Sequence, residues 1–490
     1  MSEQAVSTSA TPDPDAPSGR EPSGERAGHL RAGSIGTTQV LIMSLAFAGP
    51  TVSIFFNSAP AVGNSGAALP LAFLVATIGA VFVANSVIQF AKKLPTASFA
   101  YTFNANGLGP RWGHLSGWLL LLGYALTTPM LYAATALWSS QLVQSLTGAH
   151  VPWEIFYVVC LLGTVALSHW GIQQTTKLSL TLVAFEVAVV VALSLTILVR
   201  GGDSGLSATP FSPSAPGANW SGIFLAMVFT VMSFVGFENT AVLGEESREP
   251  KRVIPRATIA AIAVLGAYYI LTSYSEVIGF GPSHMDQMGK YDIPFNGLAQ
   301  RYWSHGAAYL VGFAAVTALF AGVIASHNAT TRVLYSMGRT GALPRALGRT
   351  HPVHQTPTVA NATHAVFALL VGGGVGLAVG PANVWAYLGS FMVPAIIIVY
   401  LLVNLSVYLF YRRKHPTEFS WVKHALFPLL GTAAMALPLK SVVWPVPPMP
   451  YRLAPYIVGL WIVIGVVWMQ VLQRKRPEAL AAAADIWSAD

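Results

Sequence analysis

Apolar runs of about twenty residues, the length a helix needs to cross a bilayer, recur along nearly the whole of this 490-residue chain. Only 9% of its residues are charged, against roughly 25% in a soluble domain. That is too little charge to cover a water-facing surface. In hydrocarbon every backbone amide must pair within its own segment or around a closed barrel. The runs lack the roughly ten-residue alternation of barrel strands, so an all-α integral membrane protein is expected.

The runs fall at 37–62, 67–90, 114–146, 153–170, 178–200, 220–244, 254–280, 306–335, 357–379, 384–411, 421–440 and 454–473. That predicts about twelve transmembrane helices, joined by polar, Pro- or Gly-rich turns such as 201–218. With twelve spans and the N-terminus inside, 22 of the 27 Lys and Arg residues fall on the inner side and 5 on the outer. This is the bias of a multi-pass protein of the cell membrane with both termini cytoplasmic. One span more or fewer near the start would reverse the later loops and destroy the asymmetry. The net charge of +8 flanks apolar runs and forms no aromatic-laced patch, so lipid is the expected partner and nucleic acid is not. Residues 1–32 are rich in Ser, Pro, Ala and Glu and have no apolar core. They read as a disordered cytoplasmic tail rather than a signal peptide. The single cysteine, Cys160, can form no internal disulfide.

Two spans are interrupted. The first carries Ala46-Phe47-Ala48-Gly49-Pro50-Thr51-Val52-Ser53 near its middle. There Pro50 removes a backbone donor and Gly49 relaxes the chain beside it. The sixth carries Ser233-Phe234-Val235-Gly236-Phe237-Glu238-Asn239, a glycine and a carboxylate deep in an apolar run. These spans open two five-helix sets, one to five and six to ten. Matched breaks in two halves point to a carrier built from inverted repeats. An unwound segment is tolerable only around a polar cavity. Half-helix N-termini favour a carboxylate and freed carbonyls an ammonium, so a zwitterion suits both. The plainer alternative is a proline kink and a packing glycine.

The sixth break runs on into Gly244-Glu245-Glu246-Ser247-Arg248-Glu249-Pro250-Lys251-Arg252-Val253-Ile254-Pro255-Arg256-Ala257. This stretch resembles the amino acid–polyamine–organocation (APC) permeases, in which a broken helix leads into just such an inner loop. Lys92-Lys93-Leu94-Pro95-Thr96-Ala97-Ser98-Phe99-Ala100-Tyr101 is similar to the family's loop between spans two and three. Residues Arg332 to Pro344, followed by His351-Pro352 and Thr356-Pro357, are similar to its loop after span eight. The likeness covers about residues 33–475. It implies a five-plus-five inverted-repeat, LeuT-like core over 33–411, two additional helices over 412–475 and a cytoplasmic C-terminal tail over 476–490. It also implies alternating access and an amino acid or related amine as substrate. The family's usual first-span motif, G-S-G-I-F, is here Gly49-Pro50-Thr51-Val52-Ser53-Ile54-Phe55, which keeps the break and alters the carboxylate contacts.

The expected substrate-binding residues are therefore Ala48, Gly49, Pro50, Thr51, Val52 and Ser53 of the first break and Phe234, Val235, Gly236 and Phe237 of the second. Tyr124 and Tyr387 are candidates to close over a solute and Asn328 to line the cavity, although each also suits plain packing. Glu238 takes the gating and proton-response role that the resemblance gives its position, against a structural role capping freed backbone. Glu186 lies mid-span where some relatives, counted from Gly171-Ile172, hold a lysine in place of a sodium ion. A carboxylate there carries charge only at a cost, which suits proton uptake and release. The alternative is a neutral acid bonded to a neighbouring helix. Ser326 and Thr330 can serve a coupling ion, proton or sodium, or simply bond their own helix. Glu276 is expected near the outer end of span seven, in contact with water. No cofactor or metal is expected: Gly107-Leu108-Gly109 and Gly372-Gly373-Gly374 lack the lysine and spacing of a phosphate cradle. The rivals to proton symport are exchange, a transporter-like sensor, and a membrane acyltransferase using His327 and Asn328, for which the loops hold no acid–base cluster.

Overall fold

A computed structural model describes residues 33, 35–94, 96, 99–170, 172–244, 246–352, 354–444, 446, 449 and 451–485. The tail expected over 1–32, the last five residues of the tail expected over 476–490, and the motif residues Pro95, Ala97, Ser98, Gly171 and Glu245 lie outside them. Among the described residues the regular elements are helices. In chain order they are α1 (Thr37–Ala48), α2 (Pro50–Ser65), α3 (Leu69–Ala91), α4 (Ala100–Leu108), α5 (Pro110–Thr147), α6 (Trp153–Trp170), α7 (Ile172–Val199), α8 (Trp220–Met232), α9 (Asn239–Val242) and α10 (Pro250–Phe280). They continue as α11 (Met285–Met288), α12 (Pro294–Tyr302), α13 (His305–Arg339), α14 (Thr358–Ala368), α15 (Gly374–Val379), α16 (Pro381–Lys414), α17 (Phe427–Ser441), α18 (Ala454–Lys475) and α19 (Pro477–Asp485).

Nine helical stretches among these residues are long and apolar enough to cross a membrane. The longest, Thr37–Ala91, holds the first two expected spans, and Trp153–His169 and Trp220–Met232 are apolar but shorter. The protein is thus an all-helical, multi-pass membrane protein. The helices α4, α11, α12 and α19 lie in stretches read from sequence as loops or tail.

The bundle is built around α5, whose most apolar window is 100% buried. The helices α13 and α16 pack along it. The helix α18 is at the rim, with only 17% of its window buried. Between α14 and α15, residues Leu369–Gly373 form a wide π turn, and Gly372 there presses against Tyr157 and Pro129. Gly372 serves close helix packing, since a Cβ there would collide with both neighbours, whereas one at Gly373 or Gly374 would meet nothing within 4 Å.

Charged contacts respect the two faces assigned by the basic residues. Arg332 to Glu246 (2.7 Å), Lys93 to Glu418 (2.7 Å) and Lys414 Nζ to Asn106 Oδ1 (3.1 Å) all join residues of the basic face. Arg301 to Asp203 (3.3 Å) and the Arg200 guanidinium to the Tyr302 carbonyl (2.6 Å) join residues of the other. The Lys93 ammonium donates to Glu418 and holds that carboxyl below its ordinary value. One expectation is corrected here: Glu276 does not meet water but is fully buried, because α12 and the 200–204 turn close over the end of α10.

Candidate functional site

The first interruption follows directly from its sequence. The helix α1 ends at Ala48, Gly49 takes the left-handed conformation (φ 56°, ψ 66°), and Pro50 starts α2. Proline has no N–H, so the Ala46 carbonyl loses its helical partner. The Thr51 and Val52 amides, first in a new helix, have none either. The second interruption separates α8 from α9 through residues 233–238, with Gly236 at φ 116°, a value side-chain-bearing residues rarely adopt.

The two breaks touch each other. A Cβ on Gly236 would lie 2.5 Å from Phe47 Cδ1 and 2.7 Å from the Ala48 nitrogen. Ser44 Oγ of α1 donates to the carbonyls of Gly236 (2.9 Å) and Phe237 (3.0 Å), which also accept from the Asn239 and Thr240 amides of the next turn. Tyr269 OH donates to the Ser233 carbonyl at 2.6 Å. The remaining donor of the turn, the Gly236 amide, bonds Glu238 Oε2 at 2.9 Å.

Glu238 is fully buried, yet three donors surround it. Beside the Gly236 amide, Tyr124 of α5 bonds Oε1 (2.9 Å) and Tyr400 of α16 bonds Oε2 (2.8 Å). The carboxyl therefore ties the second break to two helices of the central bundle. Three bonds to one carboxyl fix its position.

A small cavity, about 40 Å³, lies between the breaks. One water needs roughly 10–15 Å³, so the cavity admits a few waters and no amino acid as it stands. Its wall includes Ala48, Gly49, Val52, Ser53 and Val235 of the expected residues. The other expected residues are placed elsewhere. Thr51 bonds Tyr268 OH at 3.0 Å. Asn328 accepts from Ser168 of α6 at 2.7 Å. Ser326 and Thr330 donate to their own helix, to the Val323 and Ser326 carbonyls. Pro50, Phe234, Gly236, Phe237, Tyr124 and Tyr387 are not in the wall, although Phe237 packs at a tilt against Tyr400 and Tyr124 against Phe47.

Sequence reading missed Asn57, Thr127, Met130, Met232, Trp385 and Met392 of that wall. Asn57 is one helical turn beyond Ser53, a polar side chain in an apolar run, and that spacing was the available signal. Its Nδ2 donates to Ser233 Oγ (3.0 Å), while its Oδ1 is buried with no partner among the described residues. The wall holds no charged side chain. Its three methionines supply soft, adaptable apolar surface.

Above this cavity, away from the basic face, is a vestibule of about 440 Å³, a size within the usual ~300–1,000 Å³ of ligand sites. Met232 and Trp385 belong to both walls. Phe56 packs against Trp385 (centroids 5.1 Å) and Trp138 (5.8 Å), making a thin aromatic layer between the two spaces. On the basic face the path is shut by a thicker layer. Below the Tyr124–Glu238–Tyr400 cluster, Arg332 Nε meets Glu246 Oε1 at 2.7 Å, both side chains under a tenth exposed. The Ile35 backbone also pairs with that of Glu246 and Arg248 (3.2 and 2.8 Å). The protein is thus closed firmly on one side and thinly on the other.

Two discontinuous helices meeting at one cavity, inside a helical bundle of membrane-spanning length, are the build of a solute carrier. The chain belongs to the amino acid permease family, whose defining sequence pattern matches residues 35–472. It is 25% identical over 337 residues to the branched-chain amino acid permease BcaP of Bacillus subtilis, covering 65% of this chain and 70% of that one. It is 27% identical over 332 residues to the low-affinity putrescine importer PlaP of Escherichia coli, again 65% of this chain and 70% of the relative. The mouse cationic amino acid transporter 4 is 24% identical over 317 residues, 60% of this chain and 48% of its own.

Proposed function

We propose that this permease is a secondary transporter in the cell membrane, with both termini cytoplasmic, that carries a neutral amino acid with an apolar side chain by alternating access. We take a proton as its coupling ion. The observation that carries this reading is the contact between the two breaks around one cavity. The Thr51 and Val52 amides at the start of α2 suit the carboxylate of a zwitterion, and the unpartnered Asn57 Oδ1 suits its ammonium. The relatives' names include both branched-chain amino acids and putrescine. A diamine's second ammonium needs a partner inside the membrane, and the cavity wall offers no charged side chain, so an apolar amino acid fits better. The methionines move back to admit it.

In this reading α1–α7 and α8–α16 form the two five-span sets, and the structure corresponds to the state that faces outward and is thinly occluded by Phe56, Trp138 and Trp385. Glu238, held by three donors, is the latch of the second break. Glu186 is the proton carrier. It is fully buried on α7, and neither carboxyl oxygen has a partner among the described residues. The neighbouring Thr51 hydroxyl shares a hydrogen bond with Tyr268 OH (3.0 Å).

Labelled leucine uptake into vesicles holding the purified protein tests the proposal. An inward proton gradient is expected to drive accumulation, and an uncoupler to abolish it. In Glu186→Gln, leucine counterflow continues while the gradient no longer drives uptake. A wild-type protein that accumulates none of the apolar amino acids, or one that accumulates leucine only against preloaded amino acid, contradicts the reading.

A further inference from the structure

Glu276 has no place in the function proposed so far, although it is a second carboxyl buried in the membrane. Both it and Glu186 are fully buried. Glu276 Oε1 accepts from Ser58 Oγ of α2 at 2.9 Å, and its Oε2 has no partner among the described residues. Glu276 is thus a buried carboxyl with one oxygen bonded and the other left unsatisfied, a costly arrangement inside a protein.

The placement of the two acids is ordered. On α2, Thr51 and Ser58 are seven residues apart and share one face; on α10, Tyr268 and Glu276 are eight apart and share another. These faces meet in two rungs, Thr51 Oγ1 with Tyr268 OH (3.0 Å) and Ser58 with Glu276 (2.9 Å). On α7 the matching face carries Glu186 and, eight residues on, Ser194, which accepts from Ser275 of α10 at 2.9 Å. Glu186 thus lies level with the Thr51–Tyr268 rung. Glu276 lies about 12 Å farther toward the vestibule end, from a rise of ~1.5 Å per residue. One turn beyond Glu276, the Gly279 carbonyl accepts from Arg301 (2.9 Å) and Tyr302 (3.2 Å), at the outer loops.

We propose that Glu276 is a second proton-binding site, the outer station of a path that leads along the α2–α7–α10 seam to Glu186. This rests on the proton-coupled reading above. A proton from the outer water protonates the Glu276 carboxylate, passes inward to the Glu186 carboxylate, and leaves to the cytoplasm when α2 moves with the first break. Ser58 and Thr51 ride on α2, so movement of that half-helix shifts both rungs together. That gives the solute site a mechanical link to the protonation of both acids.

The titratable groups around Glu276 are few. On its stretch of α10 they are Tyr268, Tyr269 and Tyr274, whose hydroxyl donates to the Ser207 carbonyl (2.9 Å), and α7 contributes Glu186. From α12 come Arg301, already bonded to Asp203 (3.3 Å), and Tyr302. The short α11 holds Asp286 and the adjoining loop His284, while Glu238 is held at the second break by Tyr124 and Tyr400. Among the described residues α1, α2 and α3 bring none.

The test compares wild type, Glu276→Gln, Glu276→Asp and Ser58→Ala as full chains in vesicles. It reads gradient-driven uptake of labelled leucine, leucine counterflow, and the infrared band of protonated carboxyls. Glu276→Gln is expected to remove part of that band and to cut gradient-driven uptake by about tenfold or more, with counterflow retained. Ser58→Ala keeps the acid and moves the external pH of half-maximal uptake, and Glu276→Asp restores part of the coupling. If wild type responds to the proton gradient and Glu276→Gln responds equally, the relay is overturned while the reading of Glu186 stands. If wild-type uptake ignores the gradient, proton coupling and the relay fall together. Should Glu276→Gln not fold, an unmoved pH profile in both Ser58→Ala and Glu276→Asp overturns the relay.

Discussion

Substituting Gly236 by alanine is expected to reduce uptake about a hundredfold, the scale that a misplacement of ~1 Å at a reacting site can have. The added Cβ would meet the Phe47 ring at 2.5 Å and the Ala48 backbone at 2.7–2.8 Å. Backbone cannot move aside as the tip of a flexible side chain can. The residue would also sit at φ 116°, where strain costs about 1–3 kcal/mol, and overpacking adds about the same. The methyl group forces the two breaks apart and with them the Ser44 bonds that join them. Gly63→Ala is the control: a Cβ there meets nothing within 4 Å, so folding and uptake stay as in wild type. Size-exclusion profiles and leucine uptake for the two variants separate a lost fold from a lost site. Wild-type uptake in Gly236→Ala would mean that contact between the breaks is incidental.

Removing one member of the Arg332–Glu246 pair is the second large effect. Both groups are nearly out of water and 2.7 Å apart. A buried pair does not guarantee net stability, but removing one member takes a charged partner from the other inside the protein, with a penalty of up to about 3–5 kcal/mol. The penalty falls on the arrangement closed at the basic face, because only there are the two side chains held together. A few kcal/mol is enough to invert a two-state population. Arg332→Ala is therefore expected to favour the state open on the basic face. It should slow uptake from outside and raise labelling of that face by thiol reagents at introduced cysteines. The charge-reversed double variant, Arg332→Glu with Glu246→Arg, is expected to recover part of the wild-type balance, whereas each single reversal does not. Equal labelling in wild type and Arg332→Ala would remove the pair from the gate.

Much of this architecture was legible in the sequence because hydrocarbon imposes so few solutions. Apolar runs had to be helices, and most expected runs find a helix within a few residues of their bounds; the sixth, 220–244, holds α8, which ends at Met232, and the four-residue α9. Both breaks were legible for local reasons. Gly49-Pro50 cannot continue a helix, and Gly236 with Glu238 is out of place in an apolar run. What those reasons could not supply was contact. Nothing near Gly236 in sequence announces Phe47, nor does anything near Glu238 announce Tyr400. The wall residues Met232 and Trp385 look like ordinary lipid- or core-facing side chains until two helices are brought together. Glu276 was misjudged because closeness to a loop says nothing of what folds over it, here α12, too polar and short to register as an apolar run. Asn328, polar and mid-span, turned to Ser168 on α6 rather than to the cavity. A helical position gives a choice of faces, and the neighbours decide among them.

The carrier account stands or falls on whether a transported solute occupies the space between the breaks. The direct measurement uses Ser53→Cys in a Cys160→Ser background, since Cys160 is the chain's only cysteine and is buried. Ser53 lines the cavity, beneath the aromatic layer of Phe56, Trp138 and Trp385. A membrane-impermeant thiol reagent added from the vestibule side is expected to label the cysteine slowly. Saturating leucine, or whichever apolar amino acid the vesicles accumulate, is expected to block that labelling, with half-protection at the concentration that half-saturates uptake. Labelling that proceeds at the same rate with and without a solute the protein demonstrably transports would contradict the account, because the solute would then be crossing by a route that does not pass between the two broken helices.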